Sequence, residues 1–205
     1  MGGLRSVLAS ATGAALLAVA AAGGPGPGAA VELLSETPLF QLVLARVSYV
    51  ARAVYGLSGD PHIALYAAIL FNNLTSALVF LSMPLVVRWG YEAELRSRRR
   101  RSRDLAVEPA ASVRRRAWMV RASSIAVPSL VAFGMGASSL VSGPRLFMAV
   151  EMCAVLVVAE AVLSSPRVDS PDFLRSYLKL SASRLPVAVI LLALAAAIEV
   201  SELLG

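Results

Sequence analysis

RWGYEAELRSRRRRSRDLAVEPAASVRRRAWMVR, residues 88 to 121, lies between two long apolar runs, Pro61 to Val87 and Ala122 to Pro144. Arg88, Arg96, Arg98, Arg99, Arg100, Arg101, Arg103, Arg114, Arg115, Arg116 and Arg121 put more than half of the basic residues of the chain into this one connection. Runs of about 20 apolar residues are long enough to cross a hydrocarbon core roughly 30 Å thick, and Lys/Arg-rich connections between such runs stay on the cytoplasmic side. The stretch therefore predicts an integral membrane protein and fixes which side its middle connection faces.

Composition agrees. A hydrophobic fraction of 58% with mean hydropathy +0.72 exceeds the roughly 45–50% apolar usage of water-soluble domains, and 205 residues cannot hide that excess in one water-facing core. The net charge of +6 raises nucleic acid as a partner, but most arginines sit beside apolar runs and no aromatic residues interleave with them for base stacking. Membrane insertion and adhesion to anionic lipid headgroups, at about 1 kcal/mol per arginine, account for them, so nucleic acid is not expected. Cys153 is the only cysteine and His62 the only histidine. No intramolecular disulfide, Cys-based zinc site or paired-histidine metal motif can be built from them, and a Ser-His relay is improbable. No cofactor, metal or catalytic residue is expected, nor is there a P-loop for nucleotide.

Working outward, the chain reads as an all-α polytopic bundle of about five spanning helices plus one amphipathic interfacial helix. Residues 1–30 hold an apolar segment, Ser6 to Ala22, and a Gly/Pro linker, Gly23 to Gly28. That segment reads either as a retained span or as a removable signal peptide, because Arg5 precedes it and Ala18-Val19-Ala20 resembles a cleavage site. Residues 31–60 contain the amphipathic helix, Thr37 to Gly56, with Leu39, Val43, Val47, Val50 and Val54 on one face. It is expected to lie in the outer interface. Arg46, at the edge of the apolar face, must snorkel or find a carboxylate. Residues 61–205 form the membrane core, whose further spans are Leu146 to Ser164 and Leu185 to Leu204, separated by a polar connection over Pro166 to Arg184.

Placing the amino terminus and the 88–121 loop in the cytoplasm puts the carboxyl terminus of this cell-membrane protein outside. The connections alternate in charge as that orientation requires: +7 for 88–121, +2 for 166–184 and −1 for 31–60. Trp89, Tyr91 and Trp118 flank the basic loop where interfacial aromatic anchors belong.

Polar groups inside apolar spans are costly and mark candidate sites. Asn72 and Asn73 lie near the middle of the first core span, with Ser76 one turn after Asn72. Adjacent amides diverge by about 100° on a helix, so at least one of them addresses a neighbouring helix. Glu151 and Glu199 fall in the outer halves of their spans, where Arg46 and Arg145 are candidate ion-pair partners. Glu160, near the inner end, is within reach of Arg121 or Arg167 and is expected to snorkel. Nine positions separate Glu151 from Glu160, which puts them on opposite faces and disfavours a shared metal site. Pro84 and Pro128 can kink their helices, and Gly134, Gly136 and Ser138 offer a small-residue packing surface.

Three short motifs carry a family resemblance: Phe71-Asn72-Asn73-Leu74, Glu151-Met152-Cys153-Ala154, and Ala195-Ala196-Ala197-Ile198-Glu199. In their order and spacing, from His62 onward, the chain resembles the stage II sporulation protein M family of polytopic membrane proteins, including its archaeal relatives. The glycines that usually follow the asparagine motif are replaced here by Leu81-Ser82-Met83-Pro84, and the histidine-glycine pair before the middle glutamate is absent. The resemblance implies a non-enzymatic membrane scaffold or assembly subunit that works with other membrane proteins or as a homo-oligomer. The alternative reading is a permease or channel component in which Asn72, Glu151 and Glu199 line a polar path.

Overall fold

A computed structural model describes residues 38–101 and 145–204, together with Arg115, residues 118–120, Ala122, Ala126 and Val131; side chains at 39, 40 and 98–101 lie outside the description. The segment at 1–30, most of the expected span at 122–144, and the side chains of Arg98, Arg99, Arg100, Arg101, Arg103, Arg114 and Arg116 therefore fall outside the described residues. Arg115 is helical and exposed.

Among the described residues there is no strand. The elements are α1 (Pro38–Ser58), α2 (Pro61–Arg101), α3 (Leu146–Leu163) and α4 (Phe173–Leu204). Three of them, α2 through residue 97, α3 and α4, are long and apolar enough to cross a membrane. At about 1.5 Å per residue the 18 residues of α3 cover about 27 Å, close to a hydrocarbon thickness. The expected count of five spans is thus three among the described residues, because both remaining segments lie outside them.

A tight turn joins α1 to α2. Gly59 supplies it with a φ of +67°, a left-handed conformation that a side chain would disfavour. Asp60 then caps α2, its Oδ1 accepting the amides of His62 at 2.7 Å and Ile63 at 3.3 Å. The result is a helical hairpin whose contact face on α1 is the apolar stripe: Val43, Val47, Val50 and Val54 are half-buried while Leu42, Tyr49 and Tyr55 are exposed. Arg46 lies in the same half-buried stripe. The expected amphipathic helix is present, and its apolar face is turned to α2.

The core is built where α2, α3 and α4 meet. Ala77, Phe80 and Leu81 of α2 pack with Ala154, Val158 and Val162 of α3 and with Ala188 and Leu192 of α4. Alanine at so many contact positions lets the helix backbones approach closely, as packing in lipid requires. The opposite faces remain apolar and exposed, including Leu78, Val79 and Val86 on α2 and Ile190 and Leu194 on α4, a surface suited to hydrocarbon and costly in water.

Two boundaries differ from the sequence reading. Helix α2 continues past Val87 to Arg101, so the arginine-rich stretch begins as helix. Helix α4 starts at Phe173, twelve residues before Leu185, because Phe173 and Tyr177 give the polar segment a buried face at helical spacing. Arg88 ties these extensions together. Its guanidinium pairs with Glu92 at 2.7 Å, donates to the carbonyls of Val168 and Ser170, and lies 5.4 Å and 5.8 Å from the ring centres of Tyr91 and Phe173. Tyr91 is accordingly buried in this clamp rather than standing out as an interfacial anchor, whereas Trp89 and Trp118 are exposed.

Both helix prolines are accommodated nearby. Pro84 leaves the Phe80 carbonyl without its amide donor, and next to it the buried Tyr177 hydroxyl donates to the Leu81 carbonyl at 2.6 Å. Hydroxyls of Ser82 and Ser183 donate back to Val79 and Leu180, both at 2.7 Å, just before Pro84 and Pro186.

Candidate functional site

The site is assembled from helix spacing. On α3 the contact stripe Phe147, Ala154, Val158 includes position 151 at one turn before Ala154, so Glu151 is carried to the packed face. On α2 the stripe through Ile69, Ala77 and Phe80 carries Asn73 and Ser76 with it. These surfaces do not close completely. Between them is a cavity of about 250 Å³ with Asn72, Asn73, Ser76 and Glu151 among its walls. Its apolar remainder includes Phe80, Val155, Val158 and Leu192.

The amides are already engaged with one another and with α1. Arg46 donates through Nη2 to Asn72 Oδ1 and, at 3.5 Å, to the Asn72 carbonyl. Asn72 Nδ2 donates to Asn73 Oδ1 at 3.2 Å, and the Ser76 hydroxyl donates to the Asn72 carbonyl at 2.9 Å. The chain Arg46, Asn72, Asn73 is therefore polarised in one direction, each group donating to the next. Arg46 Nε is buried and has no hydrogen-bond partner among the described residues.

Glu151 is in the opposite situation. Among the described residues it forms no ion pair, and the charge that acts on it is another carboxylate, Glu199 of α4. Glu199 sits eleven residues after Ala188 on the packed face of α4 and is influenced by Arg145, at the start of α3, and by Glu202.

Of the expected pairings, no ion pair between Arg145 and Glu199 is formed among the described residues. Arg46 is committed to Asn72 rather than to a carboxylate. Glu160 pairs with Arg184 at 3.1 Å rather than with Arg167, because α4 begins early enough to bring Arg184 alongside α3, and Arg121 lies outside the described residues. Arg167 instead pairs with Asp169 in its own connection at 2.7 Å. Asn72, Asn73 and Glu151 come together at one cavity, and Glu199 is not among its described lining residues. Ser76 gained its place beside them through its one-turn spacing from Asn72. The Arg88 clamp was not foreseen: its contacts are two backbone carbonyls of a distant connection, which leave no side-chain pattern in the sequence.

A second, more open cavity of about 330 Å³ lies between His62, Ile63 and Tyr66 of α2 and Val200 and Ser201 of α4. Among the described residues no group of three or more His, Cys, Asp or Glu side chains could hold a metal ion, and Cys153 is exposed on α3. Compared with family models, with curated proteins and with solved structures, the chain finds no match in any of the three.

Proposed function

We propose that this chain is a non-enzymatic, multi-pass component of a membrane transport system, with Asn72, Asn73 and Glu151 forming its intramembrane polar site. The observation that carries this reading is the cavity shared by those residues, into which Glu151 brings a carboxylate without a basic partner among the described residues. A carboxylate in a hydrocarbon-depth helix costs at least ~2.5 kcal/mol on insertion scales unless compensated. A protein that needs only packing has no reason to keep one facing a void. The reading places the protein in the cell membrane with the amino terminus and residues 88–121 in the cytoplasm and the carboxyl terminus outside. Glu151 then belongs to the outer half of α3, and the Arg88 clamp to the cytoplasmic end.

Reconstituted liposomes test it directly. The wild-type protein is expected to move protons, sodium or small organic ammonium ions, and Glu151→Gln to lower that flux at least ten-fold. Absence of flux for all three overturns the transport reading. The orientation is tested separately: a cysteine at Ser102→Cys is expected to be protected from an impermeant label outside intact cells, and one at Gly59→Cys to react.

The competing reading is a scaffold or assembly subunit holding other membrane proteins or a second copy of itself. The family resemblance supports it, as do the inner-end contacts, where Glu160 with Arg184 and Arg88 with Glu92 bind charge to charge in a purely structural way. Purification from native membranes with stoichiometric partners, together with silent liposomes, favours the scaffold.

A further inference from the structure

The cavity's chemistry narrows what it can accept, and the argument rests on the intramembrane polar site proposed above. One wall carries Glu151, for which no donor is present among the described residues, and the remaining walls are largely aliphatic or aromatic, with Phe80, Val155, Val158 and Leu192 prominent. An occupant must therefore be cationic at one end and apolar at the other.

A bare hard cation suits the site poorly. Such ions take about six or more oxygen ligands, whereas the described walls offer the two Glu151 oxygens, the Ser76 hydroxyl and one remaining lone pair on each of Asn72 Oδ1 and Asn73 Oδ1, which already accept from Arg46 and Asn72. An anion would meet Glu151 head-on. Among the described residues no guanidinium pairs with Glu151, and Arg46 of α1 is bonded to Asn72. The volume of about 250 Å³ equals roughly eight waters at ~30 Å³ each, room for an ammonium group with a short hydrocarbon body.

We propose that the cavity between α2 and α3 binds a small primary organic ammonium ion, its head on Glu151 beside Ser76 and its apolar body against Phe80 and Val158. The ammonium has three donors and no acceptor, which matches the acceptor oxygens that Glu151, Ser76 and the part-used amides of Asn72 and Asn73 present among the described residues. Glu199 adds negative potential at Glu151 and reinforces the preference for positive charge.

The test uses the full-length protein in lipid nanodiscs, titrated calorimetrically with n-butylammonium, with n-butanol and sodium as comparison probes. Saturable n-butylammonium binding is expected in the wild type and at least ten-fold weaker binding in Glu151→Gln, with n-butanol and sodium failing to compete. Val155→Phe fills the cavity without touching its charge and is expected to weaken binding as well, so the assignment is tested even where Glu151→Gln folds poorly. Equal affinity in wild type and both variants, displacement by sodium, or no saturable binding overturns it. The same probe in the liposome assay separates this inference from the transport reading. Binding without flux keeps the ammonium site and removes transport, while proton or sodium flux without ammonium binding keeps transport and removes the ammonium assignment.

Discussion

The two ends of the α2–α3–α4 bundle treat charge in opposite ways. At one end Arg88 is held by a carboxylate, two backbone carbonyls and two aromatic rings, and Glu160 is met by Arg184. Further along, Glu151 faces a cavity and is acted on by a second carboxylate, Glu199, while Arg46 is spent on an asparagine. Both ends contain the same residue types, so composition does not explain the contrast. It lies in whether the bundle supplies a partner: satisfied charges hold helices together, and a charge left facing a void is available to something that is not part of the chain.

The contrast breaks most visibly at Arg88. Arg88→Ala removes an ion pair, two charged hydrogen bonds to the 165–172 connection and the cation above Tyr91 and Phe173. A loss of about 3 kcal/mol is expected for breaking a half-buried network of this kind, read as a lowered unfolding midpoint in detergent. Arg88→Lys is expected to recover less than half of it, since an ammonium cannot reproduce the planar fork that reaches two carbonyls at once. If Arg88→Ala proves neutral, the clamp is ornamental and the distinction between the two ends disappears.

Tyr177→Phe comes next. It deletes one buried hydroxyl and leaves the Leu81 carbonyl without that donor beside a helix already interrupted by Pro84. About 1.5 kcal/mol is expected for a buried hydrogen bond lost from one side. Because ring stacking with Phe173 at 5.8 Å survives the change, thermal unfolding should remain a single transition.

Glu151→Gln carries the opposite sign. Removing a carboxylate that has no partner among the described residues and lies near Glu199 is expected to leave stability unchanged or raise it by up to about 1 kcal/mol. A destabilisation comparable to that of Arg88→Ala would mean that Glu151 is structurally satisfied, and would remove the reason to assign it a ligand.

What the sequence made legible follows the same division. The apolar runs of α2, α3 and α4, the amphipathic stripe of α1 and the four polar residues of the cavity are all visible because each rests on periodicity or on a polar residue in an apolar background. The early start of α4 was hidden: Arg175, Lys179 and Arg184 suggest a solvated connection, and only the spacing of Phe173, Tyr177 and Leu180 discloses a helix running through it. The same early start brings Arg184 alongside α3, where it pairs with Glu160, a carboxylate expected to snorkel. Arg46 was expected either to snorkel or to find a carboxylate, but the hairpin at Gly59 fixes its register against Asn72, whose amide oxygen takes its hydrogen bond.

The finest test lies in the Glu160–Arg184 pair. Its side chains remain 35% and 42% exposed, so the attraction is discounted by its surroundings and about 0.5 kcal/mol of coupling is expected from a double-mutant cycle of Glu160→Gln and Arg184→Gln. The sign matters more than the size. Favourable coupling here, set against a stabilising or silent Glu151→Gln, would show two glutamates nine residues apart on one helix obeying different rules because only one of them meets an arginine. Coupling indistinguishable from zero would make Glu160 a snorkelling carboxylate that touches Arg184 in passing, and that end of the bundle would then depend on Arg88 and Tyr177.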